Sequence, residues 1–164
     1  LHLGMAFVLF GLIWWEILKF QHPHNSPKLK PFIALCFILL FIQILLGALV
    51  AGMDAGLLYN TFPTMAGEWV PTGIWLLDPW YLNLAENGTT VHFLHRLGAL
   101  IVTLLIATLA LRHRDWWLLA VLALQVLLGV LTVIHAVPIL VASAHQAVAL
   151  LLYALVIRYL FITR

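Results

Sequence analysis

The chain has 164 residues, 65% hydrophobic and only 9% charged, with a formal net charge of +2. Soluble domains hold about 25% charged residues, so a soluble fold is excluded and an integral membrane protein with room for about five spans of ~20 residues is implied. The basic residues are scattered through short connections and offer no footing for nucleic acid. Cys36 is the single cysteine, which excludes an intrachain disulfide or thiolate metal site and leaves packing as its expected role.

Apolar runs predict helices over 1–20, 31–53, 91–111, 115–134 and 139–162. The first begins inside the run Leu1-His2-Leu3-Gly4, with no basic start or cleavage site. The chain is therefore expected to be the C-terminal part of a longer polytopic protein. Pro31, Asp115-Trp116-Trp117 and Pro138 are helix-start signals. Lys19, Lys28 and Lys30 flank the first connection, Arg112 and Arg114 the third, and Arg158 and Arg164 the tail. The long connection 54–90 carries Asp54, Glu68, Asp78 and Glu86 but no Lys or Arg, and the turn near Ile134–Pro138 carries no charge. The positive-inside rule puts the first, third and tail segments on the cytoplasmic or matrix side and the other two outside. Trp14, Trp15, Trp69, Trp75, Trp80, Trp116 and Trp117 fall near the expected interfaces, as an aromatic belt would.

Two of these helix pairs repeat each other. Gln-x-Leu-Leu-Gly-x-Leu occurs at 43–49 and again at 125–131, and each copy is followed by a helix bearing a histidine near its outer end, His95 and His145. At ~1.5 Å rise per residue, His95 lies roughly 6 Å and His145 roughly 10 Å below the expected helix starts. One imidazole per copy, at similar depth, can clasp a planar ligand from both sides, and haem is the candidate. Neutral imidazole is a good iron ligand, and a polar side chain inside a span is costly enough to be functional by default. The bland alternative is a histidine hydrogen-bonded to a neighbouring helix.

The other histidines sort by side. His2, His92 and His135 map to the outer half or its edge: His92 as an interfacial residue or substitute ligand, His135 as a cap or rim residue. His22, His24 and His113 map among basic residues where a solvated role is expected. Arg96 suits either a haem propionate through charge-assisted hydrogen bonds or simple snorkelling. Gly47, Gly52, Gly98 and Gly129 permit close approach of a helix or a flat ligand, and Gln43 and Gln125 stand at equivalent positions suited to interhelical bonds. Glu16, beside Trp14 and Trp15, lies on the wrong side for outer-face chemistry. His2 precedes its apolar run much as His95 and His145 precede theirs, which suggests a second haem-sized site whose other half this chain lacks. No intramembrane carboxylate pair, Ser-His-Asp set, phosphate loop or CxxC motif occurs.

The run Gly47-Ala48-Leu49-Val50-Ala51-Gly52-Met53-Asp54-Ala55-Gly56-Leu57-Leu58-Tyr59-Asn60-Thr61-Phe62-Pro63-Thr64-Met65 closely resembles haem A synthase. The likeness continues through Gly67-Glu68-Trp69-Val70-Pro71, Glu86-Asn87, Val91-His92-Phe93-Leu94-His95-Arg96, Val137-Pro138 and Ala144-His145-Gln146. The group it resembles is the proteobacterial and mitochondrial one, without outer-loop cysteine pairs. The resemblance implies an all-α polytopic membrane bundle of eight helices in two four-helix halves, of which the five here match the fourth to the eighth. Residues 1–30 would then be the last helix of a truncated N-terminal half with its cytoplasmic linker. Residues 31–164 would be the C-terminal haem-binding bundle, with outer loop 54–90.

By the same resemblance, the enzyme oxidises a ring methyl of haem O to a formyl group, giving haem A for cytochrome oxidase. His95 and His145 would be axial ligands of a resident haem b that accepts electrons, Arg96 a haem contact, and His2 a ligand of the substrate haem. Residues associated with catalysis would lie in the missing helices, so this chain alone is expected to bind haem yet not turn over. The apolar bundle would hold the isoprenoid-like tail, and loop 54–90, with Tyr59, Asn60, Trp69, Trp75 and Trp80, would fold back as a lid unless it is a plain surface loop. Implied surroundings are the bacterial plasma membrane or mitochondrial inner membrane, its lipid, and haem O synthase or a second copy as partner. The electron acceptor stays open. The alternative is a membrane cytochrome b-type electron-transfer subunit, which explains the paired histidines but not the outer-loop run.

Overall fold

A computed structural model describes residues 2–22 and 30–162, Ile162 by its backbone alone. His24, Lys28 and Arg164 lie outside the described residues. Six helices follow one another: α1 (His2–Gln21), α2 (Pro31–Gly52), α3 (Asn83–Glu86), α4 (Gly88–His113), α5 (Trp116–Ile134) and α6 (Ile139–Ile162). All but α3 are long and apolar enough to cross a membrane. The protein is an all-helical polytopic membrane bundle.

The helix limits follow from local chemistry. α2 starts on Pro31, whose missing amide hydrogen costs nothing in a first turn. α4 starts three residues earlier than its apolar pattern suggests because Asn87 caps it, accepting from Thr89 N at 3.0 Å and Thr90 N at 3.3 Å. α4 ends on Arg114, whose φ of 53° is left-handed, and the Asp115 amide returns to the Ala110 carbonyl at 2.9 Å, closing the last turn. The same Asp115 caps α5 through Leu118 N at 2.9 Å, so the α4–α5 link needs only Arg114 and Asp115.

α2, α4, α5 and α6 close into a ring, each packed on the next and α6 on α2, while α1 leans on α6 and α2. Trp14 and Trp15 make that lean: Trp14 Nε1 donates to the Ala154 carbonyl at 3.0 Å, and Trp15 meets Phe161 edge-on at 4.7 Å. Glu16 pairs with Lys19 at 3.0 Å on the exposed face of α1.

Burial is uneven along the ring. The core cluster consists of Phe7 and Leu18 of α1, Ile33, Cys36, Leu40 and Ile44 of α2, Val102, Ile106, Leu109 and Ala110 of α4, Leu118, Val121 and Leu122 of α5, and Leu152, Tyr153, Val156, Ile157, Tyr159, Leu160 and Phe161 of α6. Most of it belongs to the half of the bundle where α4 turns into α5, while Ile44 lies beside Gln43. In the other half, no residue of 93–101 or 123–151 is buried.

Candidate haem-binding site

His95 and His145 project from α4 and α6 at nearly the same depth. Counted from the observed starts at Gly88 and Ile139, they lie roughly 10 Å and roughly 9 Å into their helices, closer to level than the expected starts gave. Gln43 and Gly47 are one turn apart on α2 and both address His95, while Gln125 and Gly129 are one turn apart on α5 and both address His145. Gln43 Nε2 lies 2.9 Å from His95 Nδ1 and donates to the His95 carbonyl at 2.9 Å. His145 Nδ1 donates to the Gln125 carbonyl at 3.1 Å, and Gln125 Nε2 stands 3.3 Å from His145 Nε2. A Cβ on Gly47 would come 3.0 Å from His95 Cε1, and one on Gly129 would come 3.0 Å from His145 Cε1. Each ring thus lies on a glycine and is steered by a glutamine one turn away.

These residues fit a haem. The buried atoms Gln43 Oε1 and Gln125 Oε1 have no hydrogen-bond partner, so polar capacity is concentrated at the two rings. Among the described residues no group of three or more His, Cys, Asp or Glu could hold a metal by itself. Two imidazoles are what a porphyrin-bound iron needs from a protein, since the macrocycle supplies the other donors.

Arg96 is held against the outer loop. It donates from Nε to His92 Nε2 at 3.0 Å, from Nη1 to the carbonyls of Thr61 at 2.8 Å and Thr64 at 3.3 Å, and from Nη2 to the Tyr59 carbonyl at 2.8 Å. It therefore ties the outer loop to α4, beside His95. His92 is buried at 1% exposure and serves as a partner of Arg96. Asn60 donates to the Val133 carbonyl at 3.0 Å and the Gly56 carbonyl at 3.1 Å, which ties the same loop to the end of α5. Farther along, buried Asn83 bonds both main-chain groups of Leu77, and Asn87 donates to Gly73 O and Asn83 Oδ1.

The remaining predicted residues are spread apart. His2 is exposed at the start of α1, on the histidine side of the bundle, since nearby Gly4 faces Leu45. His135 is exposed at the C-cap of α5. His113 packs edge-on against Tyr159 at the far end, at 5.2 Å. Trp69, Trp75 and Trp80 are exposed on the loop. Gly98 faces Gln43 Oε1 rather than a ligand, and Gly52 faces nothing within 4 Å.

Residues 1–157 match the family described as cytochrome oxidase assembly protein. The chain belongs to the haem A synthase family. It is 38% identical to the haem A synthase of Paracoccus denitrificans over 96% of this chain and 46% of that protein. It is 40% identical to that of Rhodopseudomonas palustris over 94% of this chain and 47% of the other. For the Wolbachia of Brugia malayi the figures are 36%, 93% and 49%. The chain spans about half the length of these haem A synthases. No solved structure matches it.

Proposed function

We propose that this chain forms the resident-haem half of a haem A synthase, with His95 and His145 as the axial ligands of a b-type haem. The observation that carries the reading is the duplicated cradle: the same glutamine, glycine and histidine recur on α2–α4 and α5–α6, at matched depth. The full enzyme would oxidise the ring methyl of haem O to a formyl group in successive hydroxylation steps. A haem with two histidine ligands supplies one-electron acceptance and release.

The chain's own residues do the positioning. His95 and His145 fix the plane of the ligand, and Gly47 and Gly129 let the rings lie close to α2 and α5. Gln43 and Gln125 orient the rings, and the apolar walls keep water from the iron. Arg96 retains donor capacity on Nη2 beyond its bonds to the loop and would offer it to a propionate. Loop residues 59–64, held by Arg96 and Asn60, would cover the outer edge of the ring. His2, at the same end on α1, would serve the substrate haem together with residues from the rest of the enzyme. The oxidoreductase reaction, the outward-facing haem and the pairing with haem O belong to this reading.

The test is haem A formation in cells that make haem O but no haem A. The full-length protein carrying this sequence is expected to restore haem A, and His95→Ala and His145→Ala to abolish it. Low-spin haem in the protein without haem A formation would instead favour a plain electron-transfer cytochrome b.

A further inference from the structure

The end of the bundle opposite the histidines holds a cleft of about 480 Å³, where the α4–α5 turn meets α6. Arg114, Trp116 and Trp117 line it from the turn and Arg158 from α6. Its charges are unbalanced. The carboxylate in the cleft, Asp115, is already engaged: Oδ1 accepts from Leu118 N at 2.9 Å and Oδ2 from Tyr159 Oη at 2.8 Å. Arg114 and Arg158 are exposed, and among the described residues neither has a side-chain hydrogen bond or an ion pair. The other acid at this end, Glu16, is paired with Lys19 at 3.0 Å, and Arg112 lies over the Phe32 ring at 4.8 Å. Two guanidinium forks thus line one cleft with no protein anion to meet them.

Arg114 is also held in an unusual backbone conformation. Its φ of 53° and ψ of 35° are left-handed, a region that glycine enters freely and a residue with a Cβ does not. The turn alone would be better served by glycine, so what an arginine contributes there is its guanidinium.

The surroundings discriminate among anions. Trp116 and Trp117 are 69% and 62% exposed at the end of the spans, where indole rings sit at the level of lipid headgroups. One turn beyond Trp116, Leu119 opens an apolar groove of about 490 Å³ between α4 and α5, which continues past Ala107, Thr103 and Ala123. A free phosphate could use only the cleft, whereas a phospholipid could use both.

We propose that the cleft binds the phosphate of an anionic phospholipid headgroup, held by Arg114 and Arg158, with the acyl chains along the α4–α5 groove. Guanidinium forks match phosphate oxygens in bidentate geometry, and basic pockets between membrane helices take such headgroups. Phosphatidylcholine, whose ammonium offsets its phosphate, gains less. The bound lipid bridges the far ends of α4 and α6, the helices that carry His95 and His145. The site does not depend on the haem reading, and failure of either leaves the other standing.

The test is lipid retention by the purified chain, read by native mass spectrometry alongside thermal unfolding, with phosphatidylglycerol, phosphatidylcholine or inorganic phosphate added. The unmutated chain is expected to keep phosphatidylglycerol in preference to phosphatidylcholine and to unfold at a higher temperature with it. Arg114→Gly and Arg158→Gln should each weaken that retention roughly fivefold. Arg114→Gly relaxes the turn, so its lipid-free unfolding temperature should hold or rise, which separates lost binding from lost folding. Arg112→Gln removes an equal charge two residues away, outside the cleft, and should leave retention unchanged. Equal losses in Arg112→Gln and Arg114→Gly would mean diffuse attraction and overturn the site. Unchanged retention in both cleft variants, or no preference between the two lipids, would overturn it as well. Inorganic phosphate that raises the unfolding temperature as much as phosphatidylglycerol does would overturn the phospholipid as occupant.

Discussion

Arg96 Nη1 donates to the Thr61 carbonyl at 2.8 Å, joining residues 35 apart in sequence. Its other donors reach Tyr59, Thr64 and His92, so one guanidinium binds three carbonyls of the outer loop to the helix that carries His95. A fork of fixed donors suits several carbonyls at once, and a lysine ammonium does not reproduce it. Arg96→Leu is expected to lower stability by about 2 kcal/mol, since bonds from a charged donor are worth more than neutral ones. Arg96→Lys should recover only part of this. Thermal unfolding in detergent and proteolysis within 59–64 measure both; unchanged cleavage in Arg96→Leu would mean that the loop is held by other contacts.

Gly47→Ala and Gly129→Ala place a methyl 3.0 Å from an imidazole Cε1. Alanine is the better helix former by about 1 kcal/mol, so helix content should hold or rise. The rings, however, must move by a few tenths of an ångström. Each variant is expected to keep its circular dichroism while losing part of its low-spin haem absorbance, and an unaltered spectrum in both would show that the rings have room to spare.

Asn87→Ala removes the cap of α4 and the bonds to Gly73 and Asn83 together. Loss of a cap alone costs about 1 kcal/mol, and the Gly73 carbonyl and Asn83 Oδ1 would each lose a donor, Oδ1 keeping the Leu77 amide. A total near 2 kcal/mol is expected, read as a lower unfolding temperature. Asn87→Ser, which retains a capping oxygen, should recover part of it.

Tyr159 Oη donates to Asp115 Oδ2 at 2.8 Å, at the far end of the bundle from the histidines. Tyr159→Phe should cost about 1 kcal/mol of stability and leave the haem spectrum unchanged. A spectral change would mean that the two ends of the bundle are mechanically coupled.

Much of this was legible in the residues. The spans stood out because lipid-crossing helices need long unbroken apolar runs, and the duplicated Gln-x-Leu-Leu-Gly-x-Leu pointed to the residues that address His95 and His145. The start of α4 was placed late because the cap at Asn87 lies in a polar stretch that apolar periodicity does not reach. Arg96 was harder. A charged residue beside a ligand histidine suggests a propionate, whereas its carbonyl partners at 59–64 are main-chain groups that leave no trace in side-chain identity. The same holds for His145, whose proton is fixed by a main-chain oxygen.

The most direct measurement is the visible spectrum of the purified chain, oxidised and reduced, beside His95→Ala and His145→Ala. A low-spin b-type spectrum in the unmutated chain, lost or turned high-spin in each variant, is the predicted result. An unmutated, folded chain that takes up no haem, or a low-spin spectrum that survives either substitution, would contradict the assignment of His95 and His145 as the axial pair.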